Sequence, residues 1–434
     1  MPSAPRVLLV APTTGYQVAR FQAAAASAGV ELILATDCCH QLEATRAQEA
    51  VPIRFDNAKA ALGALKPLGP FQGITAVGDR AAVLAAQVAP GLGVRFHSAG
   101  AAAVCHDKFE FKQVVAAADL PTPWFERYKA DASPAPIAAA SKYPCVLKPL
   151  ILSGSRGVIR CNDAAEFVAA FQRIRTLLAT PAIQQWQDPG AKWIQAEGYI
   201  EGREFALEGW MAAGIVQRFA LFDKPEPLEG PYFEESLYVT PSRLDTEKRA
   251  LIWDMVEAAA RAAGLGPGPI HAEIRLGPGG RVYVLEVAAR PIGGQCARAL
   301  RFRRAGAAGT GARPAADGAT PLISLEELLL RAALGQPPGG WERETAASGV
   351  MMIPIPGGGV LDQVEGVEEA RQVGGIEAVE ITAKAGEPLL PLPAGATYLG
   401  FIFARAGTPD TVEAALRTAH GKLKITMREA LPVL

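Results

Sequence analysis

Residues 270–294 read IHAEIRLGPGGRVYVLEVAARPIGG. Two apolar runs flank a glycine-rich break at Gly277–Gly280, which predicts a β-hairpin. Each run carries ionisable groups where a buried strand should have none: His271 and Glu273 in the first, Glu286 in the second. If Leu276 pairs with Arg281, His271 falls opposite Glu286 and Glu273 opposite Val284. Strand alternation then puts His271, Glu273, Glu286, Ala288 and Arg290 on one face. Glu273 and Glu286 become diagonal neighbours, with side chains starting about 7–8 Å apart. Two carboxylates on such a face repel, and a divalent cation between them removes that cost. Carboxylate oxygens completed by phosphate and water suit Mg²⁺. Arg290, farther along the same face, suits a phosphate oxygen. The alternative is a solvated sheet face with Glu–Arg pairing, and the hairpin alone slightly favours it.

Neighbouring segments shift that balance. Lys148 closes the apolar run PCVLKP and enters a loop holding Ser153, Gly154, Ser155 and Gly157. Such small residues let backbone N–H groups close over a phosphate chain. The loop is not a Walker A sequence, and a plain flexible turn reads the same way. Lys108, in HDKFEFK, also reads as an exposed helix lysine. AEGYIEGREFALEG gathers Glu197, Glu201 and Glu204 around a turn, where they can accept from an amino group or ribose hydroxyls, or stand as surface charges.

The chain's 434 residues predict two to four domains. A net charge of −1, from 43 basic and 44 acidic residues, offers no electrostatic footprint for nucleic acid or an anionic membrane. No run reaches the ~18 apolar residues needed to span a bilayer, and no signal-peptide core is recognisable. The six cysteines lack CxxC spacing, which fits a reducing cytoplasm. DCCH at 37–40 is a weak metal motif with no second ligand pair. The first hundred residues alternate strand and helix, predicting a doubly wound parallel sheet. Its first turn, PTTGY, lacks the GxGxxG fingerprint, so a nicotinamide cofactor is not expected. Asp79, after the third strand, reads as a substrate contact or, better, as the N-cap of the following helix. His106–Leu120 reads as one helix, 301–320 as a mobile surface loop, and the last ninety residues as a small α+β cap.

In this order, DKFEFKQVVAAADLPTP, YPCVLKPLILSGSRGV, IQAEGYIEGREFALEG and PIHAEIRL…VYVLEVAARPIGG resemble the ATP-grasp superfamily. The closing ninety residues and FDKPEPLEGPYFEESLYVTP (222–241) resemble its L-amino-acid ligase branch. The resemblance implies a three-domain α/β and α+β architecture: a Rossmann-like domain at 1–105, an ATP-grasp domain at 106–335 with its lid at about 140–200, and a ligase-type subdomain at 336–434. It implies that Lys108 and Lys148 hold ATP phosphates and that Ser153–Gly157 covers the γ-phosphate. Glu197, Tyr199 and Ile200 would meet adenine, and Glu204 the ribose. Glu273 and Glu286 would bind Mg²⁺, with Mn²⁺ as a substitute, and Arg290 would stabilise the acyl phosphate and tetrahedral intermediate. Ala288 stands where many relatives carry a metal-binding Asn, which puts a third protein ligand in doubt.

The implied activity is ATP-dependent ligation of a carboxylate to an amine, amino acids being the expected substrates. The alternative is a carboxylase or nucleotide-biosynthesis synthetase using bicarbonate or another nucleophile. His271 would position a carboxylate or act as base, or is simply a hydrogen-bonded strand histidine. Gly293 and Gly294 would leave room for a bulky substrate, or relieve strain after Pro291. Relatives of this kind are often dimers, so a homodimer is one expectation.

Overall fold

The computed structural model describes residues 4–12, 17–37, 50–305, 321–395 and 397–429. Four parallel strands open the chain: β1 (Arg6–Ala11), β2 (Glu31–Thr36), β3 (Ala50–Pro52) and β4 (Gly73–Ala76), in spatial order β3-β2-β1-β4. Alternation along β1 explains why helices cover both faces. Leu8 and Val10 pack with helices Ala58–Leu65 and Asp79–Leu92, while Val7, Leu9 and Ala11 pack with Val18–Ala28 and Leu325–Ala333. The sheet is therefore doubly wound, as the sequence predicts. Most of the DCCH motif, Cys38–His40, lies outside the described residues.

A second, antiparallel sheet contains β5 (Phe125–Lys129), β6 (Cys145–Pro149), β7 (Ile159–Cys161) and β8 (Trp193–Gly198), in order β5-β8-β6-β7. Helix Ala164–Leu178 covers it with Phe167, Phe171 and Ile174, spaced four and three residues apart on one face. This sheet carries Lys148 at the end of β6 and the small-residue loop between β6 and β7.

Among the described residues the largest sheet has eight antiparallel strands. It takes in β9 (Arg203–Ala212), β10 (Ile215–Lys224), β11 (Leu237–Thr240), β12 (Gly268–Leu276) and β13 (Val282–Ala288). A small three-stranded sheet follows, of β14 (Arg301–Arg304), β15 (Ile323–Ser324) and β16 (Trp341–Arg343). From the last part of the chain come β17 (Ala347–Ile353), β18 (Gly359–Glu365), β19 (Ile376–Ile381), β20 (Pro388–Leu389), β21 (Gly400–Ala406) and β22 (Lys424–Arg428). The large sheet runs β13-β12-β9-β10-β11-β17-β21-β19, so it continues without a break across residue 336. Among the described residues no helix is long and apolar enough to cross a membrane.

Several local expectations are corrected. Residues 301–304 are not loop: Phe302 is buried, and β14 pairs with both β15 and β16. Residues 306–320 of that segment lie outside the described residues. The stretch 106–120 is not one helix. Ala99–His106 and Lys108–Ala117 meet at Asp107, whose carboxylate accepts from the N–H groups of Phe109 and Glu110 and starts the second helix. Asp79 is not a side-chain N-cap either. Gly78 holds the cap position, with φ +90, and Asp79 points elsewhere.

Candidate active site

Hairpin β12–β13 is present, but its register differs from the sequence reading. Leu276 pairs with Val282, not Arg281, and the loop is one residue longer than predicted. A bulge at Leu285 then shifts the ladder, so Glu273 lies directly opposite Glu286 and His271 opposite Ala288. The burial pattern gives the reason. Ile270, Ala272 and Ile274 of β12 face the core with Val282 and Val284 of β13. Continued alternation would send Glu286 into that core too. Beyond the bulge the core positions become Val287 and Ala289, and Glu286 turns into the cleft. The face assignment is right, but the carboxylates are opposed rather than diagonal.

The cleft is lined by Lys108, Lys148, Ser153, Gly154, Ser155, Glu197, Tyr199, Ile200, Glu204, Glu273 and Glu286, all predicted from the sequence. Lys148 Nζ donates to Glu197 at 2.6 Å, and Gln195 donates to the same carboxylate at 2.7 Å. Burial acts to raise Glu197, but Lys148 and Lys112 outweigh it and hold the carboxyl below its ordinary range. Lys108 Nζ donates to the Leu152 carbonyl at 2.7 Å and lies 3.5 Å from Glu286. Its charge overcomes burial and keeps Glu286 low.

Sequence reasoning missed four neighbours. Lys112 is buried and reaches the Val284 carbonyl at 3.3 Å. Lys224, at the end of β10, lies 2.7 Å from Glu204, 3.2 Å from Glu235 and 3.4 Å from Glu273. Burial would strip its proton, but these carboxylates push its pKa well up. Glu235 accepts from Ser155 at 3.2 Å and from Tyr238 at 2.6 Å; burial and the nearby Glu273 push it up to about 7. Arg275 binds Glu204 at 3.0 Å and the Ile200 carbonyl at 2.6 Å. A signal for Lys224 was present: both CVLKP and LFDKP are apolar strands that end in Lys–Pro.

Carboxylate oxygens of Glu204, Glu235 and Glu273 come within 4.8 Å of one another. Burial, more than any single charge, raises Glu273, to about 6. Lys224 Nζ lies within 3.4 Å of all three carboxylates and places a positive charge among them. Glu273 belongs both to this cluster and to the pair with Glu286.

Arg290, His271, Gly157, Gly293 and Gly294 do not line the cleft. Arg290 donates through Nε to Asp79 at 2.8 Å, tying this strand end to the N-terminal sheet. Burial works to raise Asp79, but Arg290 holds it far below the usual carboxylate range. His271 Nδ1 lies 2.8 Å from the buried Glu208, and its Nε2 lies 3.8 Å from Glu273. Gly293 opens onto free space. Gly294 has φ +56, and a Cβ there would collide with Met352 Sδ.

Residues 141–299 match the family model of an ATP-grasp domain. The chain carries an ATP-grasp domain. Residues 351–428 match the model of L-amino acid ligase C-terminal domain 2, placed downstream of the ATP-grasp part. The ATP-grasp fold is also that of the L-amino acid ligase from Bacillus licheniformis, with a TM-score of 0.80 at 23% identity, covering 99% of this chain and 100% of that one. The alanine–anticapsin ligase of Bacillus subtilis is 30% identical over 163 residues, covering 35% of this chain and 34% of that protein. The D-alanine–D-alanine ligase of Aromatoleum aromaticum is 27% identical over 193 residues, covering 44% of this chain and 58% of that protein. The chain thus spans between one third and three fifths of these curated relatives.

Proposed function

We propose that the protein is an ATP-dependent carboxylate–amine ligase, joining amino acids into a dipeptide or a similar amide. The observation that carries this reading is the direct opposition of Glu273 and Glu286 in a cleft that also gathers Lys108, Lys148 and the Ser153–Ser155 loop. On this reading 1–105 is a Rossmann-like domain, 106–335 is the ATP-grasp module with its lid near 140–200, and 336–434 is the ligase-type closing part, which adds strands to the same sheet.

A carboxylate oxygen attacks the γ-phosphorus of ATP, the bond to the bridging oxygen breaks, and ADP leaves. The amine nitrogen then attacks the acyl carbon, loses its proton, and phosphate departs. Such transfer needs positioning and charge neutralisation more than covalent help from the protein. Mg²⁺, held by Glu273 and Glu286, supplies neutralising charge to phosphate oxygens when bound. Lys108 and Lys148 hold phosphates, while Glu197, Tyr199 and Ile200 meet adenine and Glu204 the ribose. Lys224, charged and buried, adds a further ammonium beside Glu204 and Glu273. Arg290, now paired with Asp79 at the edge of the site, would stabilise the negative oxygens of the acyl phosphate and the tetrahedral intermediate. His271, oriented by Glu208, stands behind Glu273, where it acts on a carboxylate or on the incoming amine. The match of 351–428 to a ligase C-terminal domain supports an amine over bicarbonate as nucleophile.

The test is a phosphate-release screen of amino-acid pairs with ATP and Mg²⁺, followed by mass spectrometry. An amide product with stoichiometric ADP supports the reading. ADP release that needs bicarbonate and no amine overturns it in favour of a carboxylase. A Glu286→Gln variant that releases phosphate at the original rate overturns the metal assignment.

A further inference from the structure

The loop over the cleft is held from an unexpected direction. Ser153–Gly157 joins β6 to β7, and three of its residues are left-handed: Gly154 at φ +64, Ser155 at +55 and Gly157 at +75. A run of such residues is costly to order and stays in place only when its surroundings fix it. Ser155 is fixed by Glu235. The rest of the loop is fixed by the last part of the chain. The Gly157 N–H donates to the Pro393 carbonyl at 2.9 Å, and Arg156 Nε donates to the Ala394 carbonyl at 3.0 Å. The accepting turn is itself closed, Gly395 N–H donating to the Pro391 carbonyl at 3.0 Å. An open cleft flanked by Leu177, Leu390 and Pro393 borders this contact, and Leu390 is 59% exposed. Gly157 and Pro393 are buried at this contact, while Ala394 is exposed, so the Arg156 hydrogen bond holds the contact's outer edge.

We propose that Arg156 is a positioning residue: with Gly157 it fastens the phosphate-covering loop to the C-terminal turn Pro391–Ala394, so nucleotide affinity depends on that distant turn. Arg156 acts through the loop backbone. A loop already held in its closed shape pays less ordering entropy when ligand arrives, and that saving appears as affinity. The turn belongs to the segment matching the ligase C-terminal domain, so this part of the chain reaches both the large sheet and the nucleotide lid. The inference rests on the cleft being the nucleotide site.

The experiment measures binding of a non-hydrolysable ATP analogue with Mg²⁺, by calorimetry, to the wild-type chain, Arg156→Ala and Arg156→Lys. Arg156→Ala is expected to bind about tenfold more weakly. Its KM for ATP should rise by a similar factor, while kcat and the KM for the amine stay within twofold. Arg156→Lys, whose ammonium can still donate to a carbonyl, should recover most of the loss. Arg156→Ala binding within twofold of wild type overturns the proposal, as does a fall in kcat at unchanged KM for ATP. A large drop in the thermal midpoint of Arg156→Ala also overturns it, because the contact would then be part of the core. Failure of the wild-type chain to bind the analogue overturns the nucleotide reading instead.

Discussion

Asp79 and Arg290 are 211 residues apart in sequence, yet their side chains form one bidentate pair. Arg290 is only 11% exposed, so removing its partner leaves a poorly solvated charge. Asp79→Asn keeps a hydrogen-bond acceptor but loses the charge. It should lower kcat about tenfold with the KM for ATP within twofold, read by phosphate release. Asp79→Ala should also destabilise the fold by about 2–3 kcal/mol in urea titration. Glu235 gives a pH signature. Its carboxyl rises from an ordinary 4.5 to about 7 in the folded chain. The folded state therefore binds the proton more tightly than the unfolded one. Its contribution to stability is complete below about 4.5, declines as pH rises towards 7, and levels off above. Without metal or nucleotide, the decline should be on the order of 3 kcal/mol, and Glu235→Gln should flatten it.

At the scale of elements, the sequence announces strands and faces better than partners. KWIQAEGYIEGREFALEGWM has the pattern of strand, turn, strand and forms β8 and β9, but the two strands do not pair with each other. β8 joins β5 and β6, while β9 joins β10 and β12. Gly202 stands in the crossover at φ +123, where a Cβ would run into the Leu276 carbonyl. Neither atom can move cheaply, so Gly202→Ala should cost about 2–3 kcal/mol, visible as a lowered thermal midpoint. The hairpin's carboxylate face was legible because period-two alternation is local. Its register was not, because the bulge answers to a core that other strands complete. The preferred cap reading of Asp79 failed for a similar reason: Gly–Asp before a helix looks like a cap whether or not an arginine 211 residues later folds against it. Lys224 carried only its Lys–Pro likeness to Lys148 and Glu235 no signal, and the fold brings both to Glu273.

At the scale of the whole molecule, the eight-stranded sheet makes the last hundred residues structurally inseparable from the rest. β11 pairs with β10 at a single residue pair, Asp223–Val239, but with β17 along its whole length. Cutting the chain at 335 would expose the β11 edge and the buried Leu237 and Val239. Residues 1–335 expressed alone should aggregate, and co-expression with 336–434 should restore a soluble complex on size-exclusion chromatography. A stable monomeric 1–335 fragment would show that the closing part merely adheres.

The bulge at Leu285 has a consequence for how this hairpin can change over evolutionary time. Residues added to the tip at 277–281 lie outside the pairing and leave both glutamates where they are. A single residue gained or lost between Val282 and Glu286 reverses the direction of everything after it, turning Glu286 inward and a valine outward. Length variation should therefore be tolerated at the tip and purged from the stem.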